Sequence, residues 1–349
     1  MALGQGSPGW GIVGLTAAAA LSAAVLATPA AAQSVADFYK GKQINLIIGF
    51  APGAGYDTYA RLLARHYGNQ VPGKPGVVVQ NMPGAGSLKA ANHIYNLAAK
   101  DGSVLGMFAS STAFEPLFGG EGAQFETAKF TWIGNMDESI GTCVAWQNTG
   151  IDKFDDLMVK DSIFGGSGPA AVTSQHALAL KNLLGAKIKL VQGYNGAGDV
   201  KLAMARGEIQ ASCGFALSSI KSQHASEWKS GQFKIIVQLA IEKNPELAGV
   251  PHIYDYAKTD EMRQVFDLVF GRHVIGRPIS APPGVPDDRK RALREAFMAT
   301  MKDPAFLADA DKLKLDVSAS DGEGVEKLFA RFFSYPQSAV DKAVASMRD

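Results

Sequence analysis

Apolar and polar positions follow two alternating rhythms along most of the chain. Ile44-Asn45-Leu46-Ile47-Ile48 is a short apolar run that ends in Gly49, the mark of a strand covered on both faces. From Asp57 to Gly68 the apolar residues Ala60, Leu63 and Tyr67 fall three and four apart, which is one face of a helix. The pair of rhythms then repeats, with strands at 76–80 and 104–109 around a helix at 88–99. A second set comprises a strand at 142–146, a helix from Asp152, strand 162–165, helix 170–184, strand 187–192, helix 197–206 and strands 208–215 and 233–239. Strands alternating with helices predict an α/β architecture with mainly parallel sheets. After residue 270 the run 274–279 reads as a strand returning to the first set, stopped by Ala281-Pro282-Pro283-Gly284-Val285-Pro286. A helix opens at Asp287, and a long C-terminal helix over 323–347 is interrupted near Pro336. The organisation expected is two lobes: 33–140 with 272–349, and 141–271, with a cleft between them.

The N-terminus stands apart. Residues 1–39 carry one charged side chain, Asp37, and 11–27 are almost wholly apolar before Thr28-Pro29-Ala30-Ala31-Ala32-Gln33. This pattern predicts a signal peptide over 1–32, cleaved near Ala32, and hence export. No cysteine follows closely, which excludes a lipoprotein anchor. The formal net charge is +1, and without a basic run there is no case for nucleic acid as a partner. Cys143 and Cys213 are the only cysteines. Export permits a disulfide, and the sequence leaves a bridge and two buried thiols equally open.

Glycine-rich turns mark the ends of several predicted strands: Ala51-Pro52-Gly53-Ala54-Gly55-Tyr56-Asp57, Asn81-Met82-Pro83-Gly84-Ala85-Gly86-Ser87, Gly165-Gly166-Ser167-Gly168-Pro169 and Gly193-Tyr194-Asn195-Gly196-Ala197-Gly198. A strand, a glycine turn and a helix start together aim backbone N–H groups and a positive helix end at an anion. In α/β folds, ligands sit beyond the carboxyl ends of the strands. Candidate ligand-binding residues are therefore Pro52, Gly53, Ala54, Gly55, Tyr56 and Asp57, with a left-handed φ expected at Gly55. To these are added Asn81, Ser110, Ser111, Ser167, Gly168, Thr173, Ser174, Gln175, Asn195, Phe215 and Ala216. Asp57 reads either as a helix cap or as an acceptor for a ligand donor. Ser110 and Ser111 read equally as caps or as donors to a carboxylate. Phe50 and Tyr56 suggest an apolar wall. No Arg or Lys lies inside these loops, so an anion is expected to be held by dipoles, amides, hydroxyls and water.

Other chemistries find little support. Gly53-Ala54-Gly55-Tyr56-Asp57-Thr58 supplies two of the three glycines of a dinucleotide fingerprint, and no phosphate-binding P-loop is present. Gly165-Gly166-Ser167-Gly168-Pro169 lacks the last glycine of a nucleophile elbow. His176 follows on an apolar helix, where packing is its expected role. A secreted hydrolase would need a Ser167–His176 pair. Neither His-x-x-x-His nor Cys-x-x-Cys occurs, so neither a metal nor a cofactor is expected. The chain is expected to bind its ligand rather than convert it.

With these residues in hand, the chain resembles the solute receptors of tripartite tricarboxylate transporters, the Bug (TctC-like) family. The resemblance rests on Ile47-Ile48-Gly49-Phe50-Ala51-Pro52-Gly53-Ala54-Gly55-Tyr56-Asp57-Thr58-Tyr59-Ala60-Arg61, on Val77-Val78-Val79-Gln80-Asn81-Met82-Pro83-Gly84-Ala85-Gly86-Ser87, and on the Lys100-Asp101-Gly102 turn. It implies a two-lobe Venus-flytrap fold of the type II-like periplasmic class, each lobe a sheet flanked by helices. It implies a small mono- or dicarboxylate gripped by the loops 52–57 and 167–175, a periplasmic location, a monomeric receptor and a membrane permease as partner. A sensor that reports to a membrane kinase is the alternative use of such a fold. Tyr56 and Pro169-Ala170-Ala171 depart from the commoner family form at ligand-facing positions.

Overall fold

The computed structural model describes Met1 and residues 33–53, 55–168, 171–194 and 197–348. The leader expected over 1–32 thus falls, apart from Met1, outside the described residues, as do the candidates Ala54 and Asn195. Val35–Asp349 forms one compact unit, and no described helix is long and apolar enough to cross a membrane.

In chain order, β1 (Gln43–Ile48), β2 (Gly76–Asn81), β3 (Val104–Met107) and β4 (Thr131–Asn135) build one sheet. β5 (Gly141–Trp146), β6 (Ser162–Gly166), β7 (Ile188–Gln192), β8 (Ala211–Ala216) and β9 (Phe233–Leu239) build a second, and β10 (Pro278–Ala281) and β11 (Ser320–Asp321) return to the first. The orders are β11-β4-β10-β3-β1-β2 and β7-β6-β8-β5-β9. β1 lies parallel between β2 and β3, and Ile44, Leu46, Ile47 and Ile48 are all buried, as its unbroken apolar run requires. Both sheets are mixed. β10 is antiparallel to β3 and β4, and β5 is antiparallel to β8 and β9. The reason is topological: β10 enters the first sheet where β4 leaves it, Pro278 pairing with Asn135, so the two must run in opposite directions. Most strands in each sheet nevertheless share one direction.

Helices cover both sheets: α1 (Gly55–Gln70), α2 (Leu88–Asn96), α3 (Val172–Leu184), α4 (Asp260–Val269), α5 (Asp287–Lys302), α6 (Gly322–Phe333) and α7 (Gln337–Ser346). α1 packs on the first sheet through Tyr59, Leu63 and Tyr67, and the Tyr67 hydroxyl donates to Leu293 O of α5 at 2.9 Å. α6 lies on β4, with the Phe329 ring 4.7 Å from that of Trp132. The break at Pro336 is where the sequence puts it, but α7 then packs against α3 and α4, and Asn182 Nδ2 donates to Ser346 O and Arg348 O. The stretch 272–349, expected to belong to the first lobe, is therefore divided between the two sheets. Two further readings change. The helix expected from Asp152 is a single turn, Asp156–Val159. Conversely, 260–269 is a helix that the sequence reading passed over, although Thr259 caps it by accepting from Met262 N at 3.1 Å.

Cys143 and Cys213 face each other across β5 and β8 and are joined by a disulfide, which settles the open pairing. Two segments connect the sheets, 136–140 outward and 274–277 on return. They are laced together by Gly276 N donating to Asp137 O (3.0 Å) and Met136 N to Arg277 O (3.1 Å). A Cβ on Gly276 would lie 2.6 Å from Asp137 O and 2.8 Å from Ser139 Cβ, so the crossing needs glycine there.

Candidate functional site

The first glycine turn is held by one carboxylate. Asp57, buried at 2% exposure, accepts through Oδ2 from Gly53 N (2.8 Å) and Arg61 Nε (2.8 Å), and through Oδ1 from Asn81 Nδ2 (2.8 Å). Asn81 also donates to Phe50 O (2.9 Å) and accepts from Arg61 Nη2 (3.0 Å). Burial alone would raise the Asp57 carboxyl, yet the hydrogen bonds from Arg61, Asn81 and Gly53 outweigh it and bring the pKa down to about 2. Asp57 and Asn81 are thus occupied in shaping the loop. The left-handed residue is Gly53, at φ 81°. The left-handed φ expected at Gly55 is not found, because that residue opens α1. The Phe50 and Tyr56 rings stack at 4.3 Å and 17°.

The neighbouring turns are equally self-contained. Gly84, Ala85, Gly86 and Ser87 all have left-handed φ. Ser87 Oγ accepts from Ala109 N at 2.8 Å, and Thr112 donates to Gly86 O at 2.8 Å. Ser110 is buried and Ser111 half-buried in the one-turn helix Ser110–Ala113, whose N-cap is Ala109, so neither serine is the cap. In the second lobe, Thr173 Oγ1 accepts from Ser167 N (2.9 Å) and Ser174 Oγ from Gly168 N (3.4 Å). The amides that were expected to face an anion are in these cases paired within the loops. Thr173 also donates to Ser167 Oγ at 3.4 Å, while His176 Nε2 lies 3.2 Å from Val269 O and 3.2 Å from His273 Nε2. No Ser167–His176 hydrogen bond is among the described contacts. Phe215 is a correction: at 2% exposure it packs against His224 and Phe233 in the core of the second lobe, because its side chain lies on the inner face of β8. Ala216 is half-buried at the N-cap of the helix Leu217–Gln223.

The cations come from a place the loop motifs do not mark. On the return crossing, Gly276-Arg277 brings a guanidinium 4.4 Å from the Tyr56 ring centroid and 5.0 Å from that of Tyr59. Its Nη2 is 3.8 Å from where a Cβ on Gly55 would stand. Arg277 Nη1 donates to Gly276 O (2.7 Å), while Nε is buried without a partner. Nη2 thus approaches the Gly55 turn, and neither it nor the buried Nε has a hydrogen bond among the described residues. In the sequence Gly271-Arg272 recurs five residues on as Gly276-Arg277, and only the second pair falls on the return segment 274–277. Sequence reasoning confined to the loops overlooked it and so expected no guanidinium at the site.

A cavity of about 600 Å³ lies beside the same crossings, between Asp137–Ile140, Ser218, Lys221 and Asp316. It includes none of the loops 50–57, 81–87 or 167–175. Burial raises the Asp137 carboxyl to about 6, with Arg277 opposing, and its Oδ2 has no partner. Lys221 spans the cavity edge to Glu246 (3.2 Å) and Asp316 (3.1 Å). The cavity lining mixes acids with Lys221, Lys243 and Arg331.

Comparison with solved structures places this geometry. A TctC solute-binding protein from Polaromonas matches with a TM-score of 0.67 at 17% identity, over 87% of this chain and 99% of that one. The chain has the fold of a periplasmic solute-binding protein. The periplasmic binding protein BugD matches with a TM-score of 0.60 at 18% identity, over 88% and 97%. MatC from Rhodopseudomonas palustris, solved with bound malate, matches at 0.61 and 18%, over 88% and 99%. No protein-family model matches the chain, and no curated protein matches it in sequence. Arg277 lies directly before β10, and the turns after β1 and β6 lie at strand ends.

Proposed function

We propose that this chain is an exported receptor for a small carboxylate, bound between the lobes in the periplasm and handed on to a membrane permease. The single observation that carries this reading is the Arg277 guanidinium, which lies over the Tyr56 ring with Nη2 beside the Gly55 turn. Its charge acts on the buried Asp137 carboxyl, but Arg277 forms no ion pair among the described residues, and a planar anion can meet a guanidinium with two parallel hydrogen bonds. Tyr56 and Phe50 offer an apolar face beside that guanidinium, which suits the carbon chain of an organic acid. Support also comes from the fold, shared with binding proteins of which one was solved with malate. The leader pattern over 1–32 supports export, and the monomeric state follows by analogy with receptors that close around one ligand.

The test is a thermal-shift screen of the mature protein against organic acids, amino acids and sugars, repeated on Arg277→Met. An acid at 100 times its Kd stabilises the folded state by about 2.7 kcal/mol, a visible rise in Tm. Shifts with carboxylates that vanish in Arg277→Met are expected. No shift with any acid, or shifts that survive the substitution, would overturn the reading.

A further inference from the structure

The cavity of about 600 Å³ beside the crossings takes no part in the carboxylate site proposed above. Its volume is that of a small-molecule site. Asp137 lines it and is 2% exposed. The Asp137 main-chain O accepts from Asn135 Nδ2 (3.0 Å) and from Gly276 N (3.0 Å), so the backbone is pinned and the side chain cannot swing out to solvent. Its carboxyl Oδ2 is buried and has no hydrogen-bond partner. Buried polar atoms are nearly always paired, and a carboxylate shut away from water is costly unless a donor meets it. This is the one acid on the cavity wall so placed among the described residues.

The cations on the wall are already committed. Lys221 pairs with Glu246 (3.2 Å) and Asp316 (3.1 Å), Lys243 with Asp255 (2.9 Å), and Arg331 with Asp267. The lining acids Asp137, Glu138 and Glu242 form no ion pair among the described residues. Burial raises the Glu138 carboxyl, and the charge of Glu242 adds to it. At Asp137, Arg277 of the return crossing and Lys221 oppose the burial, while Asp316 and Glu138 reinforce it. Tyr59 of α1 lies in the same field and is kept neutral, chiefly by its own burial. A cation entering here relieves these repulsions, and an anion adds to them. Between the acids the wall is apolar, through Ile140, Leu217, Val274 and Leu328. Among the described residues no group of three His, Cys, Asp or Glu side chains could hold a metal ion. A cation with a carbon skeleton therefore fits this wall better than a bare ion.

We propose that this cavity binds a small organic amine, its ammonium on the Asp137 carboxylate and its carbon skeleton against Ile140, Leu217, Val274 and Leu328. The site is separate from the carboxylate site and does not rest on it. Its walls come from both sheets. Leu217 follows β8 of the second, Asp316 and Val317 lead into β11 of the first, and the Lys221–Asp316 pair joins the two sides. An occupant thus touches both lobes beside the segments that connect them.

The experiment is calorimetric titration of the mature protein with butylamine and benzylamine, against 1-butanol and calcium, in the wild type, Asp137→Asn and Arg277→Met. At pH 7 butylamine should bind the wild type at least about 10-fold more tightly than 1-butanol, which has the same carbon chain without the charge. Asp137→Asn should lower amine affinity about 10- to 100-fold. That variant removes a buried charge, so it should fold at least as well as the wild type. Arg277→Met should not weaken the amine, whatever it does to acids. The Asp137 carboxyl is raised to about 6 while the amine stays charged, so amine affinity should fall about 10-fold from pH 7 to pH 5. Equal binding of 1-butanol, tighter binding of calcium, or amine affinity unchanged in Asp137→Asn overturns the proposal. So does the absence of amine binding to the wild type, and that result leaves the carboxylate receptor standing. Loss of amine binding in Arg277→Met would show that the two sites are one and would overturn their separation.

Discussion

Asp57 is the residue on which the shape of the first-lobe loop depends, and Asp57→Asn tests that directly. The carboxylate accepts on both oxygens: Gly53 N and Arg61 Nε on one side, Asn81 Nδ2 on the other. A side-chain amide has one acceptor and one donor, so either orientation turns an NH₂ toward an existing donor. Asn81 cannot flip to relieve this, because it already serves Phe50 O and Arg61. The magnitude follows from the titration. The folded carboxyl is lowered from 3.8 to about 2, which is about 2 kcal/mol of stability at pH 7 that the neutral form lacks. A depressed acid contributes fully above its unfolded pKa and loses the contribution as pH falls through the folded one. The difference between wild type and variant should therefore be about 2–3 kcal/mol at pH 7 and shrink to about 1 kcal/mol at pH 3. Urea denaturation followed by circular dichroism at both values reads it. A difference below about 0.5 kcal/mol at pH 7, or one that does not shrink on acidification, would show that Asp57 does not hold the loop.

Four further outcomes are expected. Gly53→Ala should destabilise by about 1 kcal/mol, since Gly53 is left-handed. Gly55→Val should keep most of the stability and lose ligand affinity, because its side chain would project toward Arg277 Nη2. Similar effects of the two on binding and melting would contradict this. Replacing Cys143 and Cys213 together by serine opens a loop with a separation of 70 residues, and should lower stability at pH 7 by about 4 kcal/mol on the chain-entropy estimate; an unchanged urea midpoint counts against it. Asp137 titrates in the opposite sense to Asp57. Burial lifts its folded carboxyl from 3.8 to about 6, so ionising it weakens the fold as pH rises from 4 to 6, and that penalty is fully present at pH 7. Asp137→Asn should raise Tm by a few degrees at pH 7 and by almost nothing at pH 4, and equal shifts at the two values would refute the assignment.

The parts of the fold set by local pattern were legible in the chain. β1, α1 and the β5–β9 series announce themselves through apolar period, and Pro336 ends a helix wherever it stands. What escaped was set by long-range geometry. β10 runs against β3 because it re-enters beside β4, which no local period records. α7 crosses to the second sheet because its apolar face fits α3 and α4, and a helix pattern says nothing of which neighbour it will meet. The helix 260–269 had its cap in Thr259 and its buried stripe in Val265, Phe266, Leu268 and Val269, and could have been read.

The site divides in the same way, and for a chemical reason. A glycine turn with donors to spare is unstable as a buried loop, so neighbouring side chains tend to take up its amides as the chain folds. Gly53 N goes to Asp57, Ser167 N to Thr173 and Gly168 N to Ser174. The more completely such a loop is ordered by its own residues, the fewer amides remain for a ligand, and the charge that attracts an anion must then come from elsewhere. On the proposed reading it comes from Arg277. Arg277 lies outside the loop motifs, with its Nη2 beside the Gly55 turn. In that reading the glycine turns shape the walls of the site and the crossing segment supplies its charge.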